Sequence, residues 1–286
     1  LIKFLGVAAY QIMNITLVLW LSHELGYDDQ HAGYWVTFWA VSMTVYTVLV
    51  GSLTDALGLR KTFLLGVIVC IFARLVMTFT TIRWLALGAG LIPLAVGEAL
   101  GTPVLVAAIR RYSTTSQRSI SFSLFYAVMN LGFLVAYYVF DSVRGRFGEH
   151  GQLVLLPGFG MTTYQVLFFI SLAIEILILP VIYFGIRSGA EATDDGPRIT
   201  PEQPRYPHEN MWNSLRFTIR DTVRETVRNL EALGRQPGFY RLLSFLMLIA
   251  FLKLIIMTMY YVFPKFGIRE LGPGAPIGGL LNINSI

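Results

Sequence analysis

Gly51-Ser52-Leu53-Thr54-Asp55-Ala56-Leu57-Gly58-Leu59-Arg60-Lys61 is a charged elbow between two long apolar runs, 34–53 and 62–82. A hydrocarbon core roughly 30 Å thick takes about 20 residues of helix, so each flanking run is long enough to cross it. The elbow is then a tight turn at a membrane surface, with one acid, two bases and two glycines in fixed order. Working outward, apolar runs of this length recur at 4–22, 84–109, 119–140, 164–186 and 242–263, which makes seven expected spans in all.

Composition agrees with an all-α membrane protein. The chain is 55% hydrophobic and 14% charged, with mean hydropathy +0.62, whereas soluble domains carry roughly 25% charged residues. The single cysteine, Cys70, lies inside the third span, which leaves no disulfide framework and no cysteine metal cluster. All four histidines fall outside the spans, and no nucleophile–base pairing appears within them. No enzymatic activity, metal or cofactor is therefore expected. The net charge of +5 reads as topology rather than as a nucleic-acid footprint. Nine of the 22 basic residues lie between Arg187 and Arg241, and the short segments on the same side add Arg60, Lys61, Arg110, Arg111 and Arg118. The opposite side carries Arg83, Arg144, Arg146, Lys265 and Arg269. Fourteen against five puts the N-terminus, the elbow and the 187–241 loop in the cytoplasm of a multi-pass protein of the plasma or inner membrane.

That loop divides the chain. Residues 188–207 are rich in Gly, Pro, Asp and Glu and read as a flexible tether. Residues 209–233 turn helical: Trp212, Leu215, Ile219, Val223, Val227 and Leu230 recur at three- and four-residue spacing beside Arg216, Arg220, Arg224 and Arg228. An apolar stripe flanked by arginines suits a helix lying on an anionic leaflet; a soluble linker helix is the plainer reading. The expected organisation is a six-helix bundle over 1–186, a cytoplasmic linker with an amphipathic helix over 187–241, and over 242–286 the seventh span and the start of a second bundle. The last ten residues look like an eighth span broken off, so the chain reads as an N-terminal fragment whose second bundle is missing.

The elbow resembles the signature between the second and third helices of the major facilitator superfamily, Gly-x-x-x-Asp-(Arg/Lys)-x-Gly-x-(Arg/Lys)-(Arg/Lys). Gly51, Asp55, Gly58, Arg60 and Lys61 match, and Ala56 departs where a base is usual. The resemblance implies a conformational latch on the cytoplasmic side. Phe125-Tyr126-Ala127-Val128-Met129-Asn130-Leu131-Gly132 is similar to a motif of the proton-dependent oligopeptide transporters, as is the passage from Pro264-Lys265-Phe266 to Asn282-Ile283-Asn284. Three departures stand against that branch. Lys3-Phe4-Leu5-Gly6-Val7 occupies the place of its Glu-x-x-Glu-Arg, Thr102 rather than lysine precedes Pro103, and the elbow is one residue shorter between Asp and Gly. The resemblance implies a secondary transporter that rocks two bundles around a midplane site, taking a small peptide-like or other organic solute with protons and no nucleic acid.

Four ionisable residues lie deep in the spans: Arg74, Glu98, Glu175 and Lys253. A charge at mid-bilayer costs about 2.5–3.5 kcal/mol on insertion scales, so such groups turn toward the bundle interior or a wet cavity. Glu98, in Gly97-Glu98-Ala99-Leu100-Gly101-Thr102-Pro103, is the first candidate for proton exchange, or else a structural partner of Arg74 or Lys253. Lys253 is a candidate for holding an anionic group across the cavity. Arg74 and Glu175 fall on the third and sixth helices, peripheral in the superfamily, which favours structural roles. A polar stripe on the fifth span, Ser119, Ser123, Tyr126, Asn130, Tyr137 and Asp141, points into protein or a cavity, with Tyr126 and Asn130 placed to read a substrate. Tyr10, Gln11 and Asn14 are similar candidates on the first helix. The alternatives to a transporter are a seven-helix receptor, against which the charge vote stands, and a non-transporting membrane interaction protein.

Overall fold

The computed structural model describes residues 1–156, 159–186, 189–193, 196–199 and 211–283. Six long helices come first: α1 (Ile2–His23), α2 (Asp29–Leu57), α3 (Leu59–Phe79), α4 (Arg83–Tyr112), α5 (Arg118–Phe147) and α6 (Thr163–Gly185). They are followed by α7 (Met211–Gly234), α8 (Pro237–Tyr261) and the short α9 (Phe263–Leu271) and α10 (Ile277–Asn282). Two antiparallel hairpins sit in connections where the sequence gives no strand signal: β1 (Gln152–Leu156) with β2 (Phe159–Thr162), and β3 (Ala190–Thr193) with β4 (Gly196–Ile199). The second hairpin gives paired structure to part of the expected flexible tether; residues 200–210 lie outside the described residues.

Among the described residues, five helices (α1, α3, α4, α5 and α6) are long and apolar enough by themselves to cross a membrane. The two other expected spans, 34–53 and 242–263, fall in α2 and α8. Helix α2 is the more polar because it is sown with threonines. Their hydroxyls turn back onto the preceding turn: Thr37 donates to the Gly33 carbonyl (2.8 Å), Thr44 to Ala40 (2.9 Å), Thr47 to Met43 (2.8 Å) and Thr54 to Val50 (2.9 Å). A hydroxyl satisfied within its own helix is cheap to hold in lipid.

Helix α1 is the axis of the bundle. Its side chains from Val7 to Leu21 are almost all buried, the pattern of a helix covered on every side, and it packs between α5 and α6. Helix α3 lies between α4 and α6, and α2 packs on α4. The ends are fixed locally. Asp28 caps α2 by accepting from the His31 N–H at 2.9 Å. That bond and the one from the His31 ring hold the exposed Asp28 carboxyl below its ordinary range. Arg83, opening α4, donates to the carbonyls of Leu25 (2.5 Å) and Gly26 (3.2 Å) and so straps the α1–α2 turn. Thr162 and Gln165 form a capping box on α6.

Close approach of α3 and α4 depends on glycine. A Cβ at Gly97 would fall 2.5 Å from Cys70 Sγ and 2.9 Å from the Gly66 carbonyl oxygen, and one at Gly66 would fall 2.8 Å from Leu100 Cβ. At the other end of the same contact α4 opens into a wider π turn over Ala86–Leu91. Small residues that let backbones touch are the usual device of helix packing in membranes. Replacing Gly97 with leucine is expected to overpack this seam at a cost of about 1–3 kcal/mol. Thermal unfolding of the detergent-solubilised protein should show the lower midpoint; an unchanged midpoint would mean the two helices do not meet here.

Candidate functional site

A cavity of about 390 Å³ lies among α1 to α6. Its wall is built from the elbow-side halves of the helices: Lys3 and Gly6 early in α1, Thr47 late in α2, Phe63 early in α3, Pro103 late in α4. Apolar side chains dominate, and Glu98 and Glu175 are the acids exposed to it.

Behind that wall sits a buried charge cluster. The Arg74 side chain, from α3, is fully buried. Its Nη2 donates to Glu98 Oε1 of α4 at 2.5 Å, and its Nε donates to Ser171 Oγ of α6 at 2.9 Å. Ser171 in turn donates to the Ala9 carbonyl of α1 at 2.7 Å. Nη1 lies 3.1 Å from Glu175 Oε2, within ion-pair range but off the direction of a hydrogen bond. Four helices thus converge on one guanidinium. The reason is local: the glycine seam brings the α3 and α4 backbones together one turn from Arg74 and Glu98. Two carboxylates share this single buried base. Lys3, a second cation on the cavity wall, has its Nζ 4.4 Å from the centre of the Phe125 ring.

Glu98 has Arg74 as its partner. Arg74, on α3, gathers Glu98 of α4 and Glu175 of α6, because α4 and α6 flank α3 and turn acids toward the same arginine; the two acids also line the cavity. The Lys253 side chain lies outside the described residues. Tyr10 lines the cavity, stacks on Trp39 at 6.1 Å and lies near Tyr261 at the end of α8. Gln11 and Asn14 are buried; Gln11 Nε2 donates to the Tyr137 hydroxyl at 3.1 Å, and Asn14 meets Tyr261. The expected polar stripe on α5 is divided. Tyr137 is buried, whereas Ser119, Ser123, Tyr126 and Asn130 are exposed. Their neighbours Met129 and Phe133 reach the cavity, and Tyr126 and Asn130 do not line it.

In the elbow, Gly58 takes φ +83° where α2 ends and α3 begins, a left-handed value that favours glycine. Arg60 donates to the Tyr183 carbonyl at 2.8 Å and lies over its ring at 4.6 Å, which ties the elbow to the end of α6. Lys61 is exposed. Gly51 and Asp55 lie in the last turns of α2, and the Asp55 carboxylate is outside the described side chains. At the opposite end, contacts that the sequence reading missed close the helices over. Arg269 pairs with Asp29 (2.6 Å), and Lys265 pairs with Asp29 and donates to Ser22 Oγ (2.6 Å). Arg144 pairs with Glu149 and donates to the Pro273 carbonyl (3.1 Å), while Asp141 accepts the N–H groups of Gly278 (2.8 Å) and Gly279 (2.6 Å). Charge pairs across loops have no periodic signal in a sequence.

Removing Arg74 strands two carboxylates in the bundle. Arg74→Met is expected to lower stability by about 3–5 kcal/mol. Adding Glu98→Gln and Glu175→Gln should restore most of the loss in thermal unfolding, and a triple variant no better than the single one would show that charge pairing is not what holds Arg74.

Comparison with known proteins agrees with this architecture. No curated protein sequence matches the chain. A structure solved to study substrate recognition in proton-dependent oligopeptide transporters superposes with TM-score 0.65 at 18% identity, covering 99% of this chain and 66% of that one. A peptide transporter solved with sulfate gives TM-score 0.56 at 16% identity, covering 91% and 50%. A bacterial homologue of the human drug peptide transporters PepT1 and PepT2 gives 0.53 at 18% identity, covering 90% and 54%. At these identities the likeness speaks for the fold, and the chain spans about half the length of the chains it matches. The Major Facilitator Superfamily sequence profile matches residues 1–286 from end to end. The chain is a multi-pass membrane protein and belongs to the Major Facilitator Superfamily.

Proposed function

We propose that the chain is part of a proton-coupled secondary transporter that moves a small peptide-like or other organic solute by alternating access. Superfamily membership supports transport, and the cavity among α1 to α6 supports a solute site. The observation that carries proton coupling is the charge count around Arg74: two carboxylates, one guanidinium, all deep in the bundle. With both acids ionised the triad holds one surplus negative charge in an apolar surround, which a proton can balance. Glu98 is the acid on the cavity wall that also bonds Arg74, and so is the residue through which solute and proton compete.

On this reading residues 1–186 form one bundle, 187–241 a cytoplasmic linker and 242–286 the opening of a second bundle, completed by further chain of the same protein. Tyr10, Gln11 and Asn14 couple α1 to the end of α8; Tyr126 and Asn130 are left to read the solute once the second bundle is in place, and Lys253 is the candidate for holding an anionic group across the cavity. Gly51, Asp55, Gly58, Arg60 and Lys61 latch the cytoplasmic side, with the N-terminus also cytoplasmic. The described state is then closed at the outer end by Asp29, Lys265 and Arg269 and has its cavity toward the inner end. The absence of the Glu-x-x-Glu-Arg pattern moves the coupling duty from the first helix to α3, α4 and α6. In the complete protein Glu98→Gln should abolish proton-driven uptake while leaving solute exchange intact. Driven uptake at the wild-type rate would remove Glu98 from the coupling role.

A further inference from the structure

Helix α7 presents two faces of opposite character. Ser214, Thr218, Asp221 and Glu225 share one face at helical spacing. Ser214 and Thr218 are buried, and α7 packs against α2. The apolar residues lie on the other side: Ile219, Val223, Val227, Leu230 and Leu233 are each 42–59% exposed. A soluble linker helix places these the other way, apolar inward. Between the two faces runs a ladder of exposed arginines, Arg220, Arg224 and Arg228, with Arg216 on the same flank.

Position restricts what can cover the apolar face. Helix α7 ends at Gly234 and the apolar helix α8 begins at Pro237. The turn between them is closed by the Gln236 N–H to Leu233 carbonyl bond (2.9 Å). The last turn of α7, with Leu230 and Leu233, is therefore held within a few residues of the apolar helix α8. Arg241, in the second turn of α8, adds further positive charge at this junction, while Arg235, just beyond α7, pairs with Glu231 at 2.6 Å.

We propose that the exposed face of α7 is a docking surface for an anionic phospholipid bilayer. The apolar stripe enters the headgroup boundary, and the arginine ladder takes the phosphates along one side. Apolar burial alone would give a helix indifferent to lipid charge; the ladder makes the partner anionic. The proposal is independent of whether the protein couples to protons.

The test uses the complete protein with a nitroxide label at Val227→Cys, and separately at Leu230→Cys in case one site perturbs folding; Cys70 is buried and stays. The protein is placed in nanodiscs of phosphatidylcholine with or without phosphatidylglycerol, and label depth is read from oxygen against nickel-chelate accessibility. The expected result is an oxygen-exposed, nickel-shielded label in the presence of phosphatidylglycerol, with the immersed fraction falling roughly fivefold for each of Arg220, Arg224 and Arg228 changed to Gln. Equal immersion in both lipids would overturn the anionic partner. A label shielded from both reagents would assign the face to protein, and a nickel-exposed label would assign it to water; either overturns the proposal.

Discussion

A guanidinium cannot be left alone inside a membrane bundle. Arg74 is fully buried, and at mid-bilayer depth an unpaired arginine is among the costliest groups a helix can carry. The structure meets that constraint by drawing partners from the neighbouring helices: Glu98 from α4, Glu175 and Ser171 from α6, and through Ser171 the Ala9 carbonyl of α1. The glycine contacts between α3 and α4 serve the same end, because any Cβ at Gly66 or Gly97 would hold the two backbones apart. Packing and electrostatics are therefore one problem here, solved at one depth in the bundle. The cavity lies directly beside the solution.

The second consequence is imbalance. A lone acid and base would neutralise each other and close the site chemically. With both acids ionised, two carboxylates around one base leave one negative charge over, and the cavity wall carries both acids together with Lys3. Proton-dependent members of this fold are expected to keep such a site on the first helix. Here α1 supplies the Ala9 carbonyl, Lys3 and Tyr10, while the acids of the cavity wall, Glu98 and Glu175, come from α4 and α6.

Much of this was legible in the sequence. Seven expected spans emerge from run length alone, because bilayer thickness fixes helix length, and five of them are helices long and apolar enough to cross among the described residues. Glu98 was legible because a carboxyl among glycines in an apolar run has few explanations. Its gathering with Arg74 and Glu175 was not, since periodicity reports which residues share a helix face and says nothing of the register between helices such as α4 and α6, whose Glu98 and Glu175 are 77 residues apart in sequence. The α5 stripe is divided in the structure, with Tyr137 covered while Tyr126 and Asn130 are exposed, and polar spacing alone carries no sign of that division. The ion pairs of Asp29 with Lys265 and Arg269 join segments more than 230 residues apart and leave no local trace.

Infrared difference spectroscopy of the complete protein, stepped between acid and alkaline buffer, addresses the Arg74 triad most directly. A protonated carboxyl in an apolar site has its own C=O stretching band, separate from those of carboxylates in water. If Glu98 and Glu175 share one exchangeable proton, that band appears on the acid side, disappears on the alkaline side, and is altered in both Glu98→Gln and Glu175→Gln. A band that is absent at every pH, or that survives unchanged in both variants, would contradict a shared proton and leave the triad a purely structural clasp.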